Sequence, residues 1–252
     1  MIIERIKLNN YRLYEGDNTI VFHNKSDKNI FLISGENGFG KTTFLHSLIW
    51  CLYGRLITEV ESDLRKDITN NGYNSFLKGN LNKNARSRLE LLGDKEKEQI
   101  KRHGYTPENE HLKSMTTYYV AIDFADVIIP SLPCTTLRVI RSYDLVSEKE
   151  SVEILIDGVK NELTNDIGPE VFINDFILNK DIARFFFFDS EQIVTLAETN
   201  TLTERKRLCS AYNEVLGVRK YEDLKKNLEN IRLRLRKKSS DIESRQKLLA
   251  IL

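Results

Sequence analysis

The sequence predicts an α/β fold: a mixed β-sheet around one glycine-anchored helix, with a long helix emerging at its C-terminal end. Three observations predict it. An apolar strand pattern, "NIFLISG", runs through a glycine-rich loop into the helical pattern "KTTFLHSLIWCLYG". Alternating apolar residues return in "TTYYVAIDFADV", "TTLRVIRSYDL" and "SVEILIDGVKNEL". From Tyr221 onward, apolar residues recur in alternating three- and four-residue steps, with no Gly or Pro to the end.

The opening reads as three strands, "IIERIKLNNY", "NTIVFH" and "NIFLISG", separated by the polar stretches "EGD" and "NKSDK". In the helix that follows, Phe44, Leu45, Leu48, Ile49 and Leu52 fall at helical spacing, and Gly54 is the expected stop. These parts make a core over residues 1–57. Residues 58–115 are charged and rich in Asn, Lys and Glu, and read as a polar insertion of short helices and mobile loops. The strand patterns resume over 116–218, where Asp157-Gly158 is a strong hairpin-turn signal. Next, "VFINDFILNKDIARFFFFDSEQI" mixes an amphipathic helix with a run of four phenylalanines, and Thr201 and Glu204 form a capping box for a further helix. Residues 219–252 carry the heptad pattern: Tyr221, Leu224, Leu228, Ile231 and Leu235, then Ile242 and Leu249, interrupted by Lys238 and Arg245. Such a seam needs a partner helix.

Composition narrows the function classes. The chain has 252 residues, 40% of them hydrophobic, which is ample for a buried core. Its net charge of +1 gives no whole-molecule signal for nucleic acid or membrane. The distribution is uneven, because from Arg219 onward eleven basic residues face five acidic ones. Cys51, Cys134 and Cys209 are odd in number and widely spaced, which excludes a disulfide framework or a CxxC zinc site and fits a reducing cytoplasm. His23, His46, His103 and His111 have no metal-ligand spacing. "MIIERIKLNNY" is charged from its fourth residue, unlike a signal peptide, and no apolar run approaches the roughly 20 residues of a membrane helix. Asp123 and Asp126 lie three apart on a strand pattern, so they face opposite ways and do not suit a shared metal. Cys209, in an apolar helical pattern without a nearby His, reads as a core residue.

The chemistry concentrates in "GENGFGKT", Gly35 to Thr42, which matches G-x-x-x-x-G-K-[ST] between a strand and a helix. Gly35 and Gly40 allow the tight turn that aims backbone N–H groups at phosphate oxygens, and the helix N-terminus favours the same anion. Lys41 reaches the β- and γ-phosphates, and the Thr42 hydroxyl ligates Mg²⁺. Glu36, Asn37, Gly38, Phe39 and Thr43 complete the expected nucleotide contacts. The motif names a nucleotide binder and leaves the reaction open.

Four features in order carry a resemblance: "NNYR" near the start, "ISGENGFGKTTFLHSLIWCLYG", "FFFFDSEQI", and "YNEVLGVRKYEDLKKNLENI" leading into the heptads. Together they resemble the N-terminal half of an ABC-type ATPase head of the SMC and double-strand-break-repair group. "CLYG" and "FFFFDSE" look most like its DndD-type branch, associated with DNA phosphorothioate modification. The resemblance implies ATP and Mg²⁺ as cofactors, and a head lobe with an emerging antiparallel coiled coil. It also implies a second head as dimer partner, DNA as macromolecular partner, and modification or antiphage-defence subunits. It places Asp189 where the group carries a Q-loop glutamine, with Gln192 a second candidate, and Arg12 beside the nucleotide. A competing reading makes Phe185–Asp189 a Walker B strand, with Asp189 holding Mg²⁺ and Glu191 activating water, although Ser190 stands where the group has Glu. A self-contained NTPase or kinase would use Asp189 in that way. A third reading makes the phenylalanines a buried edge. Neither a Leu-Ser-x-Gly-[GQ] signature loop nor an apolar strand ending Asp-Glu occurs. The resemblance places both in a C-terminal half, so residues 1–252 are expected to be an N-terminal fragment that turns ATP over poorly alone. Arg232, Arg234, Arg236, Lys237 and Lys238 offer charge for DNA phosphates, and fit a solvated helix face equally well.

Overall fold

The computed structural model describes residues 1–22, 30–129, 134–183, 187, 209, 221 and 224–236. The chain divides into two units, Met1–Asp189 and Ser190–Leu252.

The first unit is organised by a six-stranded sheet in the order β2-β1-β3-β4-β5-β6, with every neighbouring pair antiparallel. Its strands are β1 (Ile2–Tyr11), β2 (Tyr14–Val21), β3 (Thr117–Ala125), β4 (Thr136–Asp144), β5 (Lys149–Ile156) and β6 (Val159–Lys160). Alternation along them sets one face inward: Ile6 and Leu8, then Tyr118, Val120, Ile122 and Phe124, then Leu137, Val139 and Tyr143. Helix α1 (Lys41–Tyr53) is covered by this face, and Ile49, Trp50 and Cys51 are fully buried. Tyr11 stacks on Trp50 with centroids 5.6 Å apart, and Tyr118 lies 5.2 Å from Trp50. Each large side chain so buried contributes roughly 1.5–3 kcal/mol of hydrophobic stabilisation.

Between α1 and β3 the chain forms six short helices, α2 (Ile57–Val60), α3 (Ser62–Asn71), α4 (Tyr73–Gly79), α5 (Lys83–Glu90), α6 (Asp94–His103) and α7 (Lys113–Thr116). Helices were expected here, but so were mobile loops. The segment instead has its own apolar anchors, with Phe76, Leu77, Leu81 and Ala85 in the main core and Ile100 and Leu112 in a smaller one. After β6 come α8 (Glu162–Ile167), α9 (Pro169–Phe172), a π-helical turn over Ile173–Ile177 and α10 (Lys180–Ala183).

Three sequence expectations change. Among the described residues the sheet is wholly antiparallel, where a mixed sheet was expected. Residues 30–34 join no strand, because a ladder partner is missing among the described residues. The "EGD" expected as a turn lies inside β2, and the chain turns earlier, at Arg12-Leu13. Gly16 is kept in the strand by its N–H donating to Asn10 Oδ1 at 2.9 Å beside a bulge. The Asp157-Gly158 turn does form, with φ of 48° and 82° pairing Ile156 with Val159.

In the second unit, residues 224–236 are helical, here α11. Cys209 is exposed, which overturns its reading as a core residue. Among the described residues no helix is long and apolar enough to cross a membrane.

Candidate functional site

The glycine-rich loop owes its shape to backbone freedom at two positions. Gly38 and Gly40 have φ of 90° and 96°, in the left-handed region that other residues resist. Gly40 is the N-cap of α1 and supplies no side chain to the helix's first N–H groups. The opening turn also carries no acidic residue. Its N–H groups and the positive end of a 13-residue helix are therefore open to an anion.

Lys41 shows what that cradle attracts. Its ammonium donates to the carbonyls of Gly35 at 2.7 Å and Glu36 at 2.9 Å, folding back over the loop. A phosphate in the same cradle would offer it a charged acceptor in place of two neutral ones. Glu36, Asn37, Phe39 and Thr42 are exposed and Thr43 half-buried, so the Thr42 hydroxyl is accessible to a cation. The donor set fits a nucleotide phosphate accompanied by Mg²⁺.

Tyr14 supports the loop from below. Its hydroxyl donates to the Gly40 carbonyl at 3.2 Å, and burial raises its pKa above the ordinary value. A Cβ on Gly40 would sit 3.4 Å from that hydroxyl and 3.5 Å from Leu13 Cδ1. The hairpin β1–β2 and the loop are thus fitted to each other.

Arg12, expected beside the nucleotide, is placed at the junction between this hairpin and the helical insertion. Its N–H donates to the Asn80 carbonyl and its Nε to Asn80 Oδ1, both at 2.7 Å. Its guanidinium lies 5.5 Å from the Phe76 ring centroid and 5.9 Å from that of Tyr11. Asn82 closes the junction, donating from Nδ2 to the Arg12 carbonyl and from its backbone N–H to that of Asn10. Asp189, Glu191 and Gln192 lie outside the described residues, so the phenylalanine-run acids keep the status of expectations. Asp123 is held by a bidentate pair with Arg138 at 2.5 and 2.7 Å, while Asp126 is exposed at φ 51°.

A family model described as an AAA domain (AAA_23), an SMC-like, ABC ATPase-type family, matches residues 5–252. The chain belongs to the AAA_23 family. No curated protein matches it. Membership supports ATPase activity in general, with ATP and Mg²⁺ the usual ligands of AAA_23 domains.

One element of this AAA_23 domain escaped sequence reasoning. Arg141 is 2% exposed beneath the C-terminal end of α1. Its Nε donates to the Cys51 carbonyl at 3.0 Å and its Nη1 pairs with Glu150 at 3.1 Å. A cation here meets the negative end of the helix whose positive end forms the cradle. Tyr73 donates to the same Glu150 oxygen at 2.8 Å, and its pKa is driven far above the usual value, first by burial and then by the Glu150 charge. The available signal was alternation: Leu137, Val139 and Tyr143 point inward on β4, and Arg141 occupies the same phase.

Proposed function

We propose that the chain is the nucleotide-binding lobe of an SMC-like ATPase head that acts on DNA. The observation that carries this reading is the uncapped α1 with Lys41 folded onto the Gly35 and Glu36 carbonyls. Lys41 and the loop N–H groups hold the phosphates, and Thr42 holds Mg²⁺. Asp189, as a Q-loop replacement, and Gln192 are assigned to sensing the metal and positioning water. Mg²⁺ supplies charge neutralisation at the β- and γ-oxygens when bound.

The segment before the loop supports a head completed by further strands. Ile30 and Leu32 are 92% and 90% exposed, although "IFLI" is the continuous apolar pattern of a strand buried on both faces. A second lobe supplying those strands, and a second head covering the nucleotide, account for this exposure and for the absent signature loop. Sulfur modification of DNA or a related antiphage-defence complex is the setting the motif resemblance favours. Arg232, Arg234 and Arg236 of α11 are the described members of the basic cluster assigned to DNA phosphates.

The test is equilibrium binding of ATP with and without Mg²⁺, and steady-state turnover, for the chain and for Lys41→Ala. Expected is Mg²⁺-dependent binding weakened at least about tenfold by the substitution, the equivalent of one lost charge-assisted contact, with an unchanged melting curve. Equal affinities for the two proteins would sink the phosphate-cradle assignment. Robust turnover by these residues alone would instead favour Asp189 as a Walker B acid in a self-contained NTPase.

A further inference from the structure

The helical insertion reaches the phosphate loop through the turn at Arg12-Leu13. Asn10 and Arg12 both have φ of 48°, and for an arginine this left-handed backbone is unfavourable unless something holds it. Residues 80–82, between α4 and α5, hold it. The Arg12 N–H donates to the Asn80 carbonyl at 2.7 Å, and Asn82 Nδ2 donates to the Arg12 carbonyl at 2.6 Å. The Asn82 N–H donates to the Asn10 carbonyl at 2.8 Å, and Tyr11 pairs with Leu81 in an antiparallel bridge. The far side of the same turn carries the loop. Leu13 Cδ1 lies 3.5 Å from where a Gly40 Cβ would sit, and the Tyr14 hydroxyl donates to the Gly40 carbonyl at 3.2 Å. That carbonyl also accepts the Phe44 N–H at 2.8 Å, the bond that opens α1.

Asn82 joins the two sides. It is 7% exposed, and both atoms of its amide are bonded. Oδ1 accepts from the N–H groups of Asn84 at 3.0 Å and Ala85 at 3.4 Å, capping α5, while Nδ2 clamps the Arg12 carbonyl. One half of the amide therefore builds the insertion and the other half holds the turn. Without the clamp the turn relaxes out of the left-handed region and draws Leu13 and Tyr14 away from Gly40. We infer that Asn82 is a positioning residue for the nucleotide: acting through Arg12, Leu13 and Tyr14, it keeps the phosphate loop in its anion-binding shape. The insertion thereby sets nucleotide affinity. The effect on affinity rests on the phosphate-cradle reading, whereas the mechanical link from Asn82 to the loop does not.

The experiment separates the two halves of the amide in the full chain. Asn82→Asp keeps an acceptor for the Asn84 and Ala85 N–H groups and adds a favourable charge at the start of α5, but it sets an acceptor against the Arg12 carbonyl. Asn82→Ala loses both roles. Melting, equilibrium binding of ATP with Mg²⁺, and hydrogen–deuterium exchange without nucleotide are compared for the natural chain, these two variants and Lys41→Ala. Asn82→Asp should melt with the natural chain and exchange faster over residues 10–14 and 36–44. Its ATP affinity should fall about five- to tenfold, the factor that one lost hydrogen bond puts on a two-state equilibrium. Asn82→Ala should show the same changes and a lower melting temperature besides. Unchanged exchange over residues 36–44 in Asn82→Asp would overturn the inference by itself. So would unchanged affinity in that variant when Lys41→Ala weakens binding, or losses that only follow a lowered melting temperature. Equal binding by the natural chain and Lys41→Ala would sink the cradle reading instead, and the exchange over residues 36–44 then decides the link from Asn82 alone.

Discussion

Replacing Gly54 by alanine tests how tightly the foundation of the phosphate loop is built. Gly54 ends α1 at φ 51° and ψ −120°, donating its N–H to the Trp50 carbonyl. A residue with a side chain pays about 1–3 kcal/mol to hold such a conformation. The added methyl would also overlap the Arg141 guanidinium. Arg141 cannot swing into solvent, because it is 2% exposed and tethered to Cys51 and Glu150 at 3.0 and 3.1 Å. Displacing it gives up at least one hydrogen bond to a charged group, about 1.5–3 kcal/mol. The combined loss is about 2.5–6 kcal/mol, a large part of the roughly 5–15 kcal/mol that holds a typical domain folded. Urea unfolding followed by the single tryptophan, Trp50, reads it in the core where the change occurs. Repeating the substitution in an Arg141→Met background separates the two causes, since the overlap disappears and the backbone cost stays. A coupling of about 1 kcal/mol or more is expected for residues in such contact. A loss below about 1 kcal/mol for Gly54→Ala, or strict additivity with Arg141→Met, would refute the reasoning.

Two further outcomes follow from the same structure. Burial pushes the Cys51 thiol up to about 12, whereas Cys209 is exposed, so a maleimide at neutral pH should label Cys209 rapidly and Cys51 only on unfolding. A native-state adduct on Cys51, located by mass spectrometry, would contradict the burial. The Asp157 carboxylate accepts from the N–H and hydroxyl groups of Thr135 and Thr136, which lower its pKa from the ordinary 3.8 to about 2. A lowered carboxylate stabilises the fold above its unfolded pKa and loses that contribution as pH falls toward the folded value. Stability measured from pH 4 down to about 2 should therefore fall less steeply in Asp157→Asn than in the natural chain, and parallel curves would rule this out.

What could be read in the sequence divides along physical lines. Local geometry was legible: the Gly54 stop, the Asp157-Gly158 turn and the strand alternation of β3, β4 and β5 each depend on a few adjacent residues. So was Gly40 of the glycine loop, whereas the loop's other left-handed position is Gly38 and not the expected Gly35. The hairpin turn at Arg12-Leu13 was not. Arg12 has φ 48° and neither residue is a usual turn former, and the conformation is held by Asn80 and Asn82 some 70 positions away. Arg141 was hidden for a related reason. A charge on an apolar strand face reads as a fault until the carbonyls of Cys51 and Leu52 are seen to converge on it. Non-local pairing overrode local propensity in both cases.

The residues 30–33 and the seam of α11 show the converse. Each has the sequence pattern of a buried element, and each is exposed in this chain. An apolar run such as "IFLI" gains nothing from water contact, and four seam residues half or more exposed forfeit the burial that a heptad otherwise secures. On the proposed reading of the chain as one lobe of a head, residues 30–33 are completed by backbone donors and acceptors of neighbouring strands, since an isolated strand leaves its own unpaired. Such pairing rests on hydrogen bonds and apolar contact, so on that reading raising the salt concentration leaves it intact.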